Sequence, residues 1–384
     1  MRIGLVIEHF DPRRGGAERW TCQLAEQLLA RGHDVHVVAG DTQPEGPPLP
    51  VHFHPLPGKH TRLGFAAAAE DKLRRLPLDV IHDMGAGWYA DVLLSHDGVR
   101  FAQWEQKVRM LPAWTRPIKR AMIRHLPRYE SFRRLIARQV SEPHRIIMAL
   151  SRMVADDYRR FLGVGDERLR LIYNGVDARR FTPDDRKQHR QPTRRELGVG
   201  EGEVLLLFVG HDFVRKGLAT LLRAMGRLAR GGLPLRLAVV GGKRIAPYRR
   251  LAERHGAGAS VRFVGPVADP TPYYAAADAY VLPTFYDPCS LGVLEAASAG
   301  LPCITTRMNG AGELLTEGVS GYVIDDPADD AALAERLSRV TDTNRCQAMG
   351  AAARQMALQN TFERNVENVL GIYAEVAGRR RRAA

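Results

Sequence analysis

The stretch Tyr280–Thr306, YVLPTFYDPCSLGVLEAASAGLPCITT, constrains the fold more than any other part of this chain. A short apolar run, Ala279–Leu282, ends at Pro283 and reads as a buried strand. A loop, Thr284–Ser290, carries Asp287. Leu291–Ala299 then has helix-forming residues with apolar positions on one face, stopped by Gly300 and Pro302. A second strand, Cys303–Thr306, follows. Strand, loop, helix and strand in this order make a unit of a parallel sheet, and such sheets bind ligands outside the carboxyl ends of their strands. The helix start offers N–H groups without intrahelical acceptors and a partial positive charge, both suited to phosphate. Asp287 and Glu295 are eight residues apart, one in the loop and one about two turns into the helix. Two readings are open for these acids: they contact a ligand, or Asp287 caps the helix and Glu295 is solvated.

The same alternation runs through the chain twice. Arg2–Ile7 reads as a strand, EHFDPRRGGAERW as a loop with Gly15 and Gly16, about Ala17–Ala30 as a helix, and Asp34–Ala39 as a second strand. GxGxxG is absent, but the paired glycines allow backbone N–H groups to approach an anion or a sugar closely. Pro44–Pro57 reads as loop plus a short strand. Further strands are expected at Asp79–His82, Val92–Ser95 and Arg145–Leu150, with Ser151 capping the helix that follows. His96 and Asp97 sit at a strand end, where either could hydrogen-bond a substrate hydroxyl. Pro183–Arg195, rich in Arg, Gln and Pro, reads as a surface excursion near a domain boundary. Val204–Val209 opens the second half and leads into GHDFVRKG, where Arg215 and Lys216 at a helix start make a plausible diphosphate clamp. Leu235–Val240 and Val261–Gly265 continue the strands, and helices are expected at Tyr273–Asp278, Ala328–Leu337, Arg345–Leu358 and Phe362–Ala377.

Length allows two domains, each with its own core, as 384 residues is about twice a usual domain. A net charge of +13 favours an anionic partner: nucleic acid, a membrane surface or a phosphorylated substrate. Much of it gathers in Trp114–Arg138, where Arg116, Lys119, Arg120, Arg124, Arg128, Arg133, Arg134 and Arg138 face Glu130 alone. Ile118, Met122, Ile123, Leu126, Tyr129, Phe132, Leu135 and Ile136 recur at helical spacing, and Pro127 divides the run into two amphipathic pieces. Such pieces are either ordinary helices with a solvated cationic face or a dock for anionic lipid headgroups. Arg379–Arg382 reads as a disordered basic tail. No nucleic-acid-reading motif accompanies the charge. The four cysteines show no metal-ligand spacing, and no apolar run has the length of a membrane span, so a cytoplasmic protein is expected.

The frame PTFYDPCSLGVLEAASAGLPCITT, with acids seven residues clear of each other, resembles the signature of retaining glycosyltransferases of family 4; the usual first Glu is Asp287 here. Asn174-Gly175-Val176-Asp177 with Phe181 is similar to that family's interdomain linker. GHDFVRKG and RYESFRRLIARQ resemble its lipopolysaccharide-core glucosyltransferase branch, with Arg215 in place of the more usual Arg directly after the Gly. The resemblance implies an α/β chain of GT-B type, two Rossmann-like doubly wound domains facing a cleft. Residues 1–172 would bind the acceptor, 173–361 the nucleotide sugar, and 362–384 would cross back to the first domain. It further implies a hexose, glucose first, moved from a nucleotide-diphosphate sugar without a metal or other cofactor. The acceptor would be a phosphorylated glycolipid near the inner face of the inner membrane. Glu295 would hold the ribose, Arg215 and Lys216 the diphosphate, and Phe263 and Gly265 the base. Ser290 and Leu291 at the helix start and Gly15 and Gly16 would also contact the donor, with Asp287 near the sugar and His96 or Asp97 touching sugar or acceptor. A GT-B epimerase or phosphorylase, or a basic nucleic-acid-binding protein, are the alternatives.

Overall fold

The computed structural model describes residues 1–42 and 49–383. The chain divides into two units, Met1–Ile172 with Asn365–Ala384, and Tyr173–Arg364. The first unit holds a seven-stranded sheet of β1 (Arg2–Phe10), β2 (Asp34–Thr42), β3 (His52–Pro55), β4 (Val80–Asp83), β5 (Val92–Leu93), β6 (Ile146–Ala149) and β7 (Leu169–Leu171). Their order is β3-β2-β1-β4-β5-β6-β7, all parallel. Its helices are α1 (Gly16–Ala30), α2 (Arg62–Arg74), α3 (Arg100–Arg109), α4 (Arg116–His125), α5 (Pro127–Ser141) and α6 (Arg152–Leu162). Parallel strands are buried on both faces, which is why β1 and β6 are apolar runs rather than alternating ones. Ser151 Oγ accepts from Val154 N–H at 3.2 Å and caps α6 as its sequence suggests.

The second unit repeats the plan with six strands: β8 (Val204–Val209), β9 (Leu235–Val240), β10 (Val261–Gly265), β11 (Ala279–Leu282), β12 (Cys303–Thr306) and β13 (Gly321–Ile324). The order is β10-β9-β8-β11-β12-β13, again parallel. Helices α7 (Asp185–Leu197), α8 (Leu218–Ala229), α9 (Ala246–Arg254), α10 (Thr271–Ala276), α11 (Leu291–Ser298), α12 (Asp330–Arg339) and α13 (Thr343–Leu358) belong to it, and α14 (Phe362–Ala383) begins in it and continues into the first unit. Each sheet reverses its strand order once, between β1 and β4 and between β8 and β11. Loops leave such a switch point in opposite directions and open a crevice at the carboxyl ends.

Three expectations need correction. Pro183–Arg195 is not a surface excursion, since most of it lies in α7, where Thr193, Arg194 and Leu197 are buried. Two of its cations pair with Asp278, whose Oδ1 accepts from Arg190 at 2.6 Å and Oδ2 from Arg194 at 3.0 Å. The basic tail is not disordered through Arg382: the backbone of α14 stays helical to Ala383, and the side chains beyond Arg379 lie outside the described residues. The first strand does not stop at Ile7, because His9 and Phe10 still pair with Asp41 and Thr42. Of the Pro44–Pro57 stretch, residues 44–48 lie outside the described residues, and the rest contains β3.

Candidate active site

At the switch point of the second unit, β8 and β11 lie side by side, with Leu206 opposite Ala279. The loops that leave them are stitched together by main-chain bonds. Phe285 N–H and Thr284 Oγ1 both donate to the Arg215 carbonyl, at 2.8 and 3.0 Å. Asp287 N–H donates to Met308 O at 2.8 Å, and Gly310 N–H donates to Asp287 O at 2.9 Å, which ties the loop also to the one after β12. The close approach depends on Gly217, whose φ is +76° and where an added Cβ would stand 1.9 Å from the Pro283 carbonyl oxygen. No L side chain fits that geometry.

This stitching sets the electrostatics. Lys216 Nζ donates to Asp287 Oδ2, and the two side chains keep only 16% and 9% of their surface exposed. Asp287 is therefore the partner of a cation from the neighbouring loop, not a helix cap. Arg215 lies beside it, with its Nη1 3.5 Å from Tyr286 O and its Nε 3.6 Å from Asp212. Glu295, on α11, is half-buried rather than solvated, and accepts from the Tyr274 hydroxyl at 2.8 Å. Burial, reinforced by that carboxylate, holds the Tyr274 phenol well above its ordinary pKa, so it acts as a donor at any physiological pH. Ser290 precedes α11 and Leu291 is its first residue. Asn309 Oδ1 accepts from Ser290 N–H at 3.2 Å and from Ala311 N–H at 3.1 Å, fixing the helix start. Phe263 and Gly265 lie on β10, along the same sheet's carboxyl side, where Gly241 N–H donates to Gly265 O at 2.7 Å. Two cations, two acids and a helix N-terminus thus share one sheet edge, an arrangement able to hold a diphosphate and hydroxyl groups.

The first unit has its own crevice at the matching place. A cavity of about 620 Å³ is lined by Gly16, Arg62, His96, Asp97, Arg100 and Phe132 among others. Gly15 precedes α1 in extended backbone and Gly16 begins the helix, so these two belong to this unit and not to the one with Lys216. The Nε2 of His96 is buried without a hydrogen-bond partner, its ring centroid 4.8 Å from that of Trp20. Burial lowers its pKa to about 4, so it is a neutral imidazole at pH 7. Asp97 is exposed and accepts from Arg100 at 2.5 Å. Arg62 and Arg100 both lie over the Phe132 ring, at 3.2 and 4.8 Å from its centroid. The pKa of Arg62 is lowered by burial and by the charge of Arg100.

The structure adds residues that the sequence reading passed over. Asn309, Tyr274, Arg62 and Arg100 carry no spacing signal; Asn309 in MNGAGE was open to notice as a side-chain acceptor in a turn before a helical segment.

Comparison with known proteins agrees with this geometry. The family described as Glycosyl transferases group 1 matches residues 189–356, and Glycosyltransferase Family 4 matches residues 14–180. The lipopolysaccharide glucosyltransferase WaaG of Escherichia coli is 27% identical over 335 residues, covering 85% of this chain and 86% of that protein. A D-inositol 3-phosphate glycosyltransferase of Thermobifida fusca is 33% identical over 229 residues, 56% of this chain and 51% of that protein, so the match spans about half of that relative. Among solved structures, WaaG superposes with a TM-score of 0.79 at 24% identity, over 97% of this chain and 99% of its own. Anabaena HepE in complex with UDP-glucose gives 0.73 at 17% identity, over 98% and 100%.

Proposed function

The chain belongs to the glycosyltransferases, with a family 4 domain followed by a group 1 domain and the GT-B fold, and from that premise we propose that it is a retaining hexosyltransferase. It moves glucose from UDP-glucose to a phosphorylated, membrane-associated glycan of the lipopolysaccharide-core type. The observation that carries the reading is the buried Lys216–Asp287 pair at the switch point of the second unit, beside Arg215 and Glu295. On donor binding, Arg215 and Lys216 neutralise the diphosphate, and their charge grows in value as the phosphate leaves, so they stabilise the transition state more than the ground state. Two fixed cations supply what a divalent ion would otherwise supply, so the transfer needs no metal. Glu295 takes the ribose hydroxyls, the α11 N-terminus the phosphate oxygens, and Asp287 holds Lys216 in place near the sugar. Phe263 and Gly265 bound the base.

The acceptor class draws on three supports. WaaG is named for lipopolysaccharide and the Thermobifida relative for an inositol phosphate. The cavity of the first unit presents Arg62 and Arg100 to a charged group, and neutral His96 to a hydroxyl. The third support is α4, which has no buried residue. Trp114, Ile118 and Met122 are 77, 60 and 38% exposed at four-residue spacing, flanked by Lys119, Arg120 and Arg124. Arg133 fastens α4 to α5 by donating to Ile123 O at 2.7 Å and Arg124 O at 3.0 Å, leaving that apolar ridge outward. An apolar ridge with cations around it suits an anionic membrane surface. No helix among the described residues is long and apolar enough to cross a membrane.

The test is an in-vitro transfer assay with UDP-glucose, UDP-galactose, UDP-N-acetylglucosamine and GDP-mannose against lipopolysaccharide-core acceptors, with product anomers read by NMR. An α-linked glucose product supports the proposal. A β-linked product refutes retention, and transfer from GDP-mannose alone refutes the donor.

A further inference from the structure

At the opposite end of the first sheet from its crevice, the amino ends of β2 and β3 gather a second polar cluster. His36 pairs with His52 and Val38 with His54 in the parallel register of these strands. Alternation along a strand puts Asp34 and His36 on one face, and His52 and His54 on that same face of the neighbouring strand. The rings of His36 and His52 stack with centroids 4.7 Å apart, and those of His36 and His54 at 5.3 Å. Asp34 reaches between two of them: its Oδ1 is 3.0 Å from His52 Nε2 and its Oδ2 is 3.4 Å from His36 Nε2.

We propose that Asp34, His36 and His52 form a binding site for one divalent transition-metal ion of the zinc class. One ligand atom from each residue lies within 4.8 Å of the other two, a spread that a small contraction brings onto a single ion. Two imidazole nitrogens and one carboxylate oxygen are a donor set for zinc, and also for cobalt and nickel, but not for calcium or magnesium, which take oxygen ligands. The state of His36 supports a metal over a simple ion pair. Its Nε2 is buried and makes no hydrogen bond, while its Nδ1 lies 3.0 Å from His54 Nε2. With Nδ1–H donating to His54, the Nε2 lone pair faces Asp34 and the ion, the outer-sphere arrangement that metal-bound histidines usually have. His52 and the Asp34 carboxylate are open to solvent, 65 and 43% exposed, so water completes the coordination.

The role is structural. Asp34 and His52 are the first residues of their strands, and β3 is the edge strand of the sheet. An ion held by both strands ties that edge down and takes no part in sugar transfer.

The test uses tag-free full-length protein stripped with chelator and dialysed. Cobalt(II) is titrated and followed by visible absorption, zinc(II) by competition against that signal, and melting temperature is recorded with and without zinc. The site is expected to fill at one equivalent, to give the intense absorption of four-coordinate cobalt, and to raise the melting temperature. His52→Ala, an exposed change, is expected to weaken binding at least about tenfold, and His54→Gln to weaken it by a comparable factor through loss of the outer bond. His144→Ala, at an exposed histidine elsewhere in the unit, is expected to leave it unchanged. Absence of saturable binding overturns the proposal, and so does equal binding by His52→Ala with its circular dichroism intact.

Discussion

Lys216 and Asp287, 71 residues apart in sequence, meet as an ion pair where the strand order of the second sheet reverses, and each is largely shielded from water. A buried pair of this kind does two things at once. It fixes the ammonium at the carboxyl edge, and it makes each partner dependent on the other.

Removing one partner is therefore expected to be worse for stability than removing both. Lys216→Ala leaves a buried carboxylate unpaired, at a cost of roughly 3 kcal/mol, whereas Lys216→Ala with Asp287→Ala together costs less than Lys216→Ala alone. Urea unfolding of the three variants checks this. Additive losses would mean that the pair does not couple the two loops. Turnover is expected to separate from stability, since both Lys216→Ala and the double variant lose about a hundredfold or more when a fixed charge is taken from the departing phosphate.

Gly217→Ala is expected to disrupt the same junction by sterics alone. A Cβ there stands 1.9 Å from Pro283 O, in a backbone conformation that L residues avoid. Gly318 has a similar φ of +72° but open space around it, so Gly318→Ala isolates the backbone cost, about 1 kcal/mol. The difference between the two unfolding free energies measures the clash, and equal losses would show that the loops can separate at no cost.

How much of this was legible in the sequence depended on how local the cause is. Strands β8 to β11 are readable to the residue because each is a largely apolar run ended by Gly or Pro, β12 because Gly300 and Pro302 stop the helix before it, and Ser151 announces its helix because a cap is a matter of three residues. Helix α7 was not readable, because its Arg190 and Arg194 look like solvated surface until Asp278 arrives from the segment before β11. The candidate site divides the same way. The acid, the cation pair and the glycines were legible as motif positions, but that Lys216 bonds Asp287, or that Tyr274 bonds Glu295, follows only from strand order. The histidine cluster at Asp34 lies on two strands whose register no spacing rule reveals.

The apolar ridge beside the cations of α4 has a direct optical test. Trp20, Trp88 and Trp104 are buried, whereas Trp114 is exposed, so any blue shift on adding vesicles reports Trp114. Vesicles containing phosphatidylglycerol are expected to shift the emission and to sediment the protein, less so at high salt. Changing Ile118 and Met122 to Ser is expected to weaken sedimentation severalfold. Emission unchanged by anionic vesicles would remove the membrane from the account.

Acid is expected to destabilise the first unit through a buried histidine. His82 is fully buried with its Nδ1 2.6 Å from the Tyr373 hydroxyl, and burial, with the charge of His96, lowers its pKa to about 3. The folded protein keeps this ring neutral while the unfolded chain protonates it below its ordinary value of about 6.5. Between those limits the unfolded state binds more protons, so stability is full above pH 6.5 and falls as pH drops, at up to about 1.4 kcal/mol per pH unit for this group. Urea midpoints between pH 7 and 4.5 give the slope, and His82→Gln is expected to flatten it; an unchanged slope would exclude His82 as its source.

The most direct test of the donor site is calorimetric titration of the full chain with UDP, GDP and ADP in buffer containing chelator, repeated with Lys216→Ala. The account expects UDP to bind without a divalent ion, more tightly than the other two, and to lose at least about tenfold in affinity when Lys216 is removed. Binding of none of the three, or UDP binding that the Lys216→Ala variant keeps in full, would contradict it.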